Sequence, residues 1–260
     1  MSFLDAAAPV ALAHRGFSPE RLENSMAAFA AAVDLGFTYL ETDVRATADG
    51  ALVTFHDATL QRATDGIGAI ADLPWSTVAR ARIAGVQPVP RLEEVLTAWP
   101  HVRLNIDVKH PAAVAPLVDL LASSPGASER VCVASFSERR RRAVLAGLRA
   151  RGVRSVTSSA ARAGVVRFLV AARAGARGAV LRRAVGADCL QVPERSGRVR
   201  VVTPALLAAA ASARLPVHVW TVDDPGDMHR LLDLGVDGLV TDRADLLRDV
   251  LVQRGQWRAR

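Results

Sequence analysis

The sequence contains few lysine, cysteine or aromatic residues, and these shortages narrow the kinds of structure and function that it can have. Cys132 and Cys189 are the only cysteines in 260 residues and show no paired spacing, so the sequence predicts neither a disulfide framework nor a zinc-finger site. Aromatic residues make up 5% of the chain, which is few for a protein that stacks nucleic-acid bases. Lys109 is the only lysine among 33 basic residues, so this one position carries a compact, mobile ammonium in place of a flat guanidinium.

Long apolar runs are also missing. No uninterrupted run reaches the ~18 residues expected of a membrane helix, because arginine breaks the alanine-rich region between Val165 and Leu181. The first 13 residues are apolar, but Asp5 stands where a signal peptide would carry positive charge. We therefore expect a soluble, cytoplasmic protein without stable membrane association.

The positive charge is dispersed along the chain. The formal net charge of +7 comes from arginines that occur throughout the sequence and are not confined to a tail. Four consecutive arginines, 139–142, wind around more than one helical turn and cannot form a single stripe. This run predicts a solvated helix start, and we expect no nucleic-acid partner.

Short apolar runs alternate with helical stretches along most of the chain. The predicted strands are 10–13, 39–44, 51–55, 102–108, 131–136, 154–157, 189–192, 217–222 and 238–241, and the predicted helices are 25–35, 92–99, 112–122, 138–151, 160–174, 204–213, 225–234 and 244–252. Parallel strands need helical crossovers, so the alternation favours a parallel sheet. Eight such units predict an α/β protein, a closed (β/α)8 TIM barrel that forms a single domain over residues 1–260. An open doubly wound sheet is the alternative.

One region interrupts the alternation. Residues from about 59 to 89 contain glycines and prolines that break periodicity, with one short helical piece at 76–83. They predict a small insertion after the second barrel strand region. Just before it, Asp49-Gly50 between two strand-like runs predicts a tight hairpin turn.

Three short motifs lie at the downstream ends of predicted strands: His14-Arg15-Gly16, Glu41-Thr42-Asp43 and His56-Asp57. Reacting groups of a (β/α)8 barrel lie where strands run into the following loops. Side chains two apart on a strand share a face, so both carboxylates of the second motif are expected to point into the barrel mouth, with Thr42 packed outward. Two imidazoles, two carboxylates and a guanidinium are suited to hold a divalent cation and cleave a phosphate ester.

A second strand repeats this geometry. Asn105, Asp107 and Lys109 share one face of N-I-D-V-K and add an amide, a third carboxylate and the only ammonium. Buried charges cost several kcal/mol each when unpaired, so these groups predict mutual pairing or a metal. Hard oxygen donors suit magnesium or calcium better than zinc. For Lys109, an internal ion pair with Asp107 and a phosphate contact both remain open.

Longer motifs occur in a fixed order from His14 to about Arg243: H-R-G, L-E-N-S at a helix start, E-T-D-V-R-A-T-A-D-G, L-V-T-F-H-D-A-T-L-Q-R-A-T-D-G, P-R-L-E-E-V-L, N-I-D-V-K, V-W-T-V-D-D and G-V-D-G-L-V-T-D. This ordered set resembles the glycerophosphodiester phosphodiesterase family. The resemblance implies a TIM barrel and a phosphoric diester hydrolase. Such an enzyme uses a divalent metal ion, Mg²⁺ or Ca²⁺, to hydrolyse small-molecule glycerophosphodiesters to sn-glycerol 3-phosphate and an alcohol.

The resemblance also assigns roles to individual residues. It implies an acid–base pair of His14 and His56, the metal ligands Glu41, Asp43 and Asp107, and the phosphate contacts Arg15 and Lys109. In such enzymes the position of Asp107 is more often glutamate. From its place at the end of a late strand, Trp220 is predicted to form an apolar wall for the glycerol carbons.

Several alternatives stay open at this point. The attacking oxygen could belong to water or to the neighbouring glycerol hydroxyl through a cyclic phosphate, and either histidine could be the acid. A barrel phospholipase acting on intact lipids would need an exposed apolar rim loop, and residues 66–74 are only mildly apolar. A catalytically idle basic barrel would bind nucleic acid with strong salt dependence. The sequence favours the diesterase and leaves head group, metal identity and subunit number open.

Overall fold

Strands and helices alternate through the computed structural model, which describes residues 2–5, 9–19, 21–124 and 126–258. The strands are β1 (Val10–His14), β2 (Tyr39–Ala46), β3 (Leu52–Thr54), β4 (Arg82–Ile83), β5 (Gln87–Pro88), β6 (Arg103–Val108), β7 (Val131–Ala134), β8 (Thr157–Ser158), β9 (Leu190–Pro193), β10 (Arg195–Ser196), β11 (Val199–Arg200), β12 (Val217–Trp220) and β13 (Gly238–Thr241). The α-helices are α1 (Met26–Asp34), α2 (Trp75–Val78), α3 (Leu92–Ala98), α4 (Val114–Ser123), α5 (Glu138–Ala150), α6 (Arg162–Arg173), α7 (Ala179–Val185), α8 (Pro204–Ser212), α9 (Pro225–Leu234) and α10 (Ala244–Gln253).

Eight parallel strands form a closed ring. They pair in the order β8-β7-β6-β2-β1-β13-β12-β9. The two ends of this order are joined by a parallel bridge between Ser159 and Cys189. Beside it, the Asp188 amide donates to the Ser158 carbonyl at 2.9 Å and the Ala160 amide to the Cys189 carbonyl at 3.0 Å. The predicted (β/α)8 barrel is therefore confirmed, and the open doubly wound alternative is wrong.

The amino-terminal half of the barrel interior is apolar. Phe3 is fully buried and packs edge-on against Tyr39 with ring centroids 5.1 Å apart, while the Tyr39 hydroxyl donates to the Phe3 carbonyl at 2.7 Å. Cys132 and Cys189 are free and buried in the same cluster. Of the apolar stretch at the start of the sequence, Met1 and residues 6–8 lie outside the described residues.

The strand that leads to His56 lies outside the ring. β3 pairs antiparallel with β2, with Ala46 opposite Leu52, and the predicted turn at Asp49-Gly50 joins them. Gly50 has a φ of 84°, a left-handed conformation that favours glycine. The predicted insertion then follows, built from α2 and the β4–β5 hairpin around its own apolar cluster: Val53, Phe55, Leu60, Ile70, Val78, Ala81, Ile83 and Val89.

Helix α7, the β10–β11 hairpin and the β4–β5 hairpin inside the predicted insertion were not foreseen in the sequence, and β4 lies within the helical piece predicted at 76–83. Helix α7 follows α6 after Gly175 and Gly178, which break the helical periodicity at its start. The hairpin of β10 and β11 has two residues in each strand, too few to show an alternating pattern. Among the described helices, none combines the length and the apolarity needed to cross a bilayer.

The sequence predicts that the arginine run at the start of α5 is solvated, but one of its four members is buried. Arg141 is only 1% exposed. Its guanidinium donates to the Glu138 carboxylate, to the Ser158 hydroxyl at 3.0 Å and to the Gly186 carbonyl at 3.0 Å. The prediction is wrong for this residue because its planar fork satisfies several acceptors at once, which compensates for burying the charge.

His218 on β12 gives the fold a measurable pH dependence. Burial lowers its pKa to about 4, whereas an unfolded histidine titrates near 6.5. Between these values the unfolded chain binds a proton that the folded chain does not, so the free energy of unfolding falls as the pH falls. From pH 6.5 to 4 we expect wild type to lose about 3 kcal/mol more than His218→Gln in urea unfolding. Parallel pH curves for the two proteins would contradict this assignment.

Candidate active site

Strand register brings the predicted site residues together at the carboxyl ends of the barrel strands. His14 on β1 lies opposite Glu41 on β2. On the other side of β2, Glu41 lies opposite Asn105 and Asp43 lies opposite Asp107, both on β6. Side chains that are up to about ninety residues apart in the chain thus form a continuous polar surface across three adjacent strands.

One cavity of about 680 Å³ contains every side chain predicted for the site. These are His14, Arg15, Glu41, Asp43, His56, Asp107, Lys109 and Trp220. Asn105 and Gln191 line the polar part of the cavity as well, and the Gln191 amide donates to the Asn105 side-chain oxygen at 3.1 Å. The sequence placed these groups in one pocket, and the structure has them there.

Asp43 is the most deeply buried carboxylate of the site, with 1% of its surface exposed. Lys109 Nζ lies 2.8 Å from Asp43 Oδ1 and 2.6 Å from Asp107 Oδ2, while Arg15 Nε lies 3.0 Å from Asp43 Oδ2. Burial alone would raise the pKa of Asp43, but Lys109 and Arg15 outweigh it and hold the pKa below its usual value. Asp43 and Asp107 outweigh the effect of burial on Lys109 and raise its pKa, so the ammonium stays charged.

Glu41 and Asp107 are the two carboxyl groups of the site whose pKa values are raised. Burial, followed by the charge of Asp43, raises the pKa of Glu41 to about 7. Burial also raises the pKa of Asp107, and its Oδ1 is buried without a hydrogen-bond partner. In the described chain no three acidic, histidine or cysteine side chains are already arranged as a metal centre. The orphaned Oδ1 of Asp107 and the buried carboxyl of Glu41 nonetheless fit a hard divalent cation, whose preferred ligands are carboxylate oxygens.

His14 lies between two acidic side chains. Its Nδ1 is 2.7 Å from Asp242 Oδ1, and its Nε2 is 3.7 Å from Glu41 Oε2. Burial would lower the pKa of His14, but Glu41 and Asp242 outweigh burial and raise it. Asp242 was missed in the sequence because it is 228 residues from His14. The pairing of β1 with β13, which sets Ala13 opposite Thr241, brings the two together.

For the diester hydrolysis that the sequence resemblance implies, we expect Asp242→Asn to lower kcat by about 10- to 100-fold, because a carboxylate on Nδ1 fixes the tautomer and orientation of the imidazole. Steady-state kinetics measure this, and inhibition by inorganic phosphate reports whether binding is kept. Asp245→Asn is the control, since Asp245 pairs with Arg243 on the outer surface. Equal kcat values for the two variants would exclude a positioning role for Asp242.

His56 has its own carboxylate partner. Its Nδ1 is 2.7 Å from Asp57 Oδ1. Arg62 donates a hydrogen bond to Asp57 as well, and its Nη2 donates to Glu23 at 2.6 Å. Glu23 in turn accepts a hydrogen bond from Arg15 at 3.0 Å. This chain of ion pairs connects the second histidine to the guanidinium beside Asp43, so both are held in place by the same network.

Asn24 is a further site residue that sequence reasoning did not single out for the site. It is fully buried, and its Nδ2 donates to Asp43 Oδ2 at 3.1 Å. Its side-chain oxygen accepts from the Thr42 hydroxyl at 2.7 Å, so Thr42 faces away from the barrel interior as predicted. The L-E-N-S motif therefore orients Asp43 from outside β2. Its occurrence shortly before E-T-D in the sequence was a signal that could have indicated this contact.

Comparison with known proteins identifies the family of this chain. Residues 14–246 match the model of the glycerophosphoryl diester phosphodiesterase family. A Mycobacterium tuberculosis (strain ATCC 25618 / H37Rv) protein named "Probable glycerophosphodiester phosphodiesterase 2" is 46% identical over 99% of this chain and 96% of its own length.

Solved structures share the fold. A glycerophosphodiester phosphodiesterase from Agrobacterium tumefaciens str. C58 superimposes with a TM-score of 0.71 at 25% identity, covering 92% of this chain and 98% of that one. An Oleispira antarctica phosphodiesterase, solved in complex with the product sn-glycerol-3-phosphate, gives a TM-score of 0.75 at 19% identity over 94% and 97% of the two chains. The chain therefore belongs to the glycerophosphoryl diester phosphodiesterase family and is a phosphoric diester hydrolase.

Proposed function

We propose that this enzyme hydrolyses small glycerophosphodiesters to sn-glycerol 3-phosphate and an alcohol, with a magnesium or calcium ion and two histidines in the site. The observation that carries the proposal is the convergence of two imidazoles, three carboxylates and two fixed cations on one cavity at the barrel mouth. The Oleispira antarctica phosphodiesterase, which shares the fold, was solved with the product proposed here. The reaction belongs to lipid and glycerol metabolism.

The charged groups divide into two sets. Arg15 and Lys109 contact the phosphate oxygens, since each already projects its cation into the cavity and is held there by Asp43. Glu41, Asp43 and Asp107 would hold the divalent ion. When bound, such an ion supplies positive charge that offsets the charge on the phosphate.

The two histidines move the protons. Asp242 occupies Nδ1 of His14 and Asp57 occupies Nδ1 of His56, so each ring keeps its Nε2 for proton transfer. One imidazole removes a proton from the attacking oxygen and the other protonates the oxygen of the departing alcohol. Trp220 packs against the glycerol carbons at the edge of the polar half of the cavity.

Release of glycerol 3-phosphate from a panel of glycerophosphodiesters tests the proposal. We expect release from glycerophosphocholine or a similar diester, loss of release with a chelator, and recovery on adding back magnesium or calcium. No release from any diester with any divalent ion would overturn the proposed substrate class. Full activity in excess chelator would overturn the role given to the ion.

A further inference from the structure

The excess of positive charge lies in one stretch of the chain. Arginines occur throughout the sequence, but residues 162–200 contain nine of them and only two acidic residues. The rest of the chain has 24 basic and 24 acidic residues, so this stretch accounts for the whole formal net charge of +7. In the fold the stretch forms α6, α7, β9 and the β10–β11 hairpin. A field of one sign is therefore concentrated on one side of the barrel.

The two acidic residues of the stretch do not neutralise it. Glu194 pairs with Arg230 of α9 at 2.9 Å, and Asp188 accepts a hydrogen bond from the Ser158 amide at 2.9 Å. Arg162 lines the cavity, and three more arginines belong to the hairpin beside it. Within the described part of the chain these four arginines have no carboxylate partner: Arg162, Arg195, Arg198 and Arg200.

The hairpin sets two of its arginines against each other. Arg195 on β10 lies directly opposite Arg200 on β11, and Ser196 lies opposite Val199. Side chains alternate along a strand, so Ser196 and Val199 share the face that lines the cavity and the two arginines share the outer face. Like charges directly opposite each other destabilise a two-stranded ribbon, and an anionic partner would relieve this repulsion.

Exposed apolar side chains lie among these arginines. Phe136 is 43% exposed, Val166 is 58% exposed and Val199 is 60% exposed, and all three line the cavity together with Arg162. The Arg162 guanidinium lies 5.2 Å from the centre of the Phe136 ring. We call Phe136, Arg162, Val166 and the hairpin 195–200 the docking rim. Contiguous exposed apolar side chains of this kind mark an interaction surface.

The combination of charge and apolar surface indicates the kind of partner. A bilayer of anionic phospholipids offers phosphates to guanidinium groups and, directly below them, hydrocarbon to valine and phenylalanine side chains. A nucleic acid would satisfy the arginines but would leave the valines in water. The rim also has a single aromatic ring, that of Phe136, on which a base could stack.

We propose that the docking rim binds reversibly to the surface of an anionic membrane, which places one edge of the cavity mouth against the lipid head groups. The inference concerns where the enzyme works and leaves the proposed substrate and chemistry unchanged. Contact through a surface patch needs no spanning helix, and none was found among the described helices. A reversible contact also agrees with the sequence-based expectation that stable membrane association is absent.

Flotation with unilamellar vesicles tests the proposal on the wild-type enzyme. One set of vesicles contains phosphatidylcholine alone, and the other contains equal parts of phosphatidylcholine and phosphatidylglycerol. An arginine beside an anionic surface strengthens binding by about fivefold, so four rim arginines are expected to favour the anionic vesicles at least about a hundredfold. Added salt is expected to weaken this binding.

Substitution of two rim arginines locates the surface. Arg198→Gln with Arg200→Gln is expected to lower partition onto the anionic vesicles at least about tenfold. Without vesicles its kcat for glycerophosphocholine is expected to stay within about twofold of wild type, since neither arginine lines the cavity. The matched control is Arg149→Gln with Arg214→Gln, which removes the same charge from exposed positions where α5 and α8 lead back into strands, at the opposite end of the barrel.

The apolar part of the rim is tested by Val166→Ser with Val199→Ser. This variant keeps every rim arginine but removes the side chains expected to enter the hydrocarbon. We expect its partition onto the anionic vesicles to fall about tenfold, because each valine loses favourable burial.

Three results would overturn the proposal: no binding to the anionic vesicles, equal binding to both kinds of vesicle, and equal losses in the arginine rim variant and its control. Tighter binding of a short DNA duplex than of anionic vesicles, weakened by the same arginine substitutions, would assign the rim to nucleic acid and overturn it as well. The proposed function is tested separately, because diester hydrolysis is measured without vesicles.

Discussion

His14→Ala is expected to lower kcat for glycerophosphodiester hydrolysis by about a thousandfold, since a positioned general acid or base contributes roughly 10²- to 10⁴-fold. The imidazole is fixed by Asp242 on one side and faces Glu41 on the other, and alanine removes the ring nitrogen that would transfer the proton. Steady-state assays on glycerophosphocholine measure the loss. His56→Ala is expected to behave alike.

The control for both is His229→Ala, because His229 contacts Arg254 and does not line the cavity, and we expect its kcat to stay within about twofold of wild type. A diester with a p-nitrophenyl leaving group distinguishes the roles, since that leaving group departs without protonation. The alanine variant that regains activity on this substrate is the one in which the general acid has been removed. Near-normal kcat in both alanine variants would show that neither imidazole takes part.

Asp43→Asn is expected to lower kcat/KM at least about a thousandfold, which corresponds to roughly 4 kcal/mol of transition-state stabilisation. The substitution keeps the shape of the side chain but removes the charge that holds Lys109 and Arg15. It also removes one of the three carboxylates proposed to hold the ion. We therefore expect the concentration of magnesium or calcium needed for half-maximal activity to rise along with the loss.

Asp233→Asn serves as the matched control, because Asp233 pairs with Arg254 away from the cavity. Circular dichroism shows whether the Asp43 variant keeps its fold, since a buried charge network is being altered. A folded Asp43→Asn protein with the cation dependence of wild type would contradict the assignment of Asp43 as a ligand.

The local periodicity of strands was enough to predict much of the site. Glu41 with Asp43, and Asn105 with Asp107, are two residues apart on neighbouring strands, so the strand period alone predicts that each pair lies on the inner face of the barrel. The register adds what periodicity does not contain, because it sets Asp43 directly opposite Asp107. Lys109 bridges Asp43 and Asp107. Its position on the same strand face as Asp107 permits this contact but does not by itself predict it.

Long-range partners could not be predicted in this way. Asp242 reaches His14 only when β13 pairs with β1, and no local pattern encodes that closure, although its position immediately after a strand was a usable signal. Arg141 was expected in solvent because its own helix offers no reason to bury it. Its acceptors Ser158 and Gly186 come from later parts of the chain.

A crystal structure of the enzyme with manganese, as an anomalous substitute for the proposed ion, and sn-glycerol 3-phosphate is the most direct test of the site. The account predicts an anomalous peak among the carboxylates of Glu41, Asp43 and Asp107, with the phosphate against Arg15 and Lys109 and both imidazoles within hydrogen-bond reach of it. A peak elsewhere on the barrel, or a phosphate bound away from the two histidines, would contradict it.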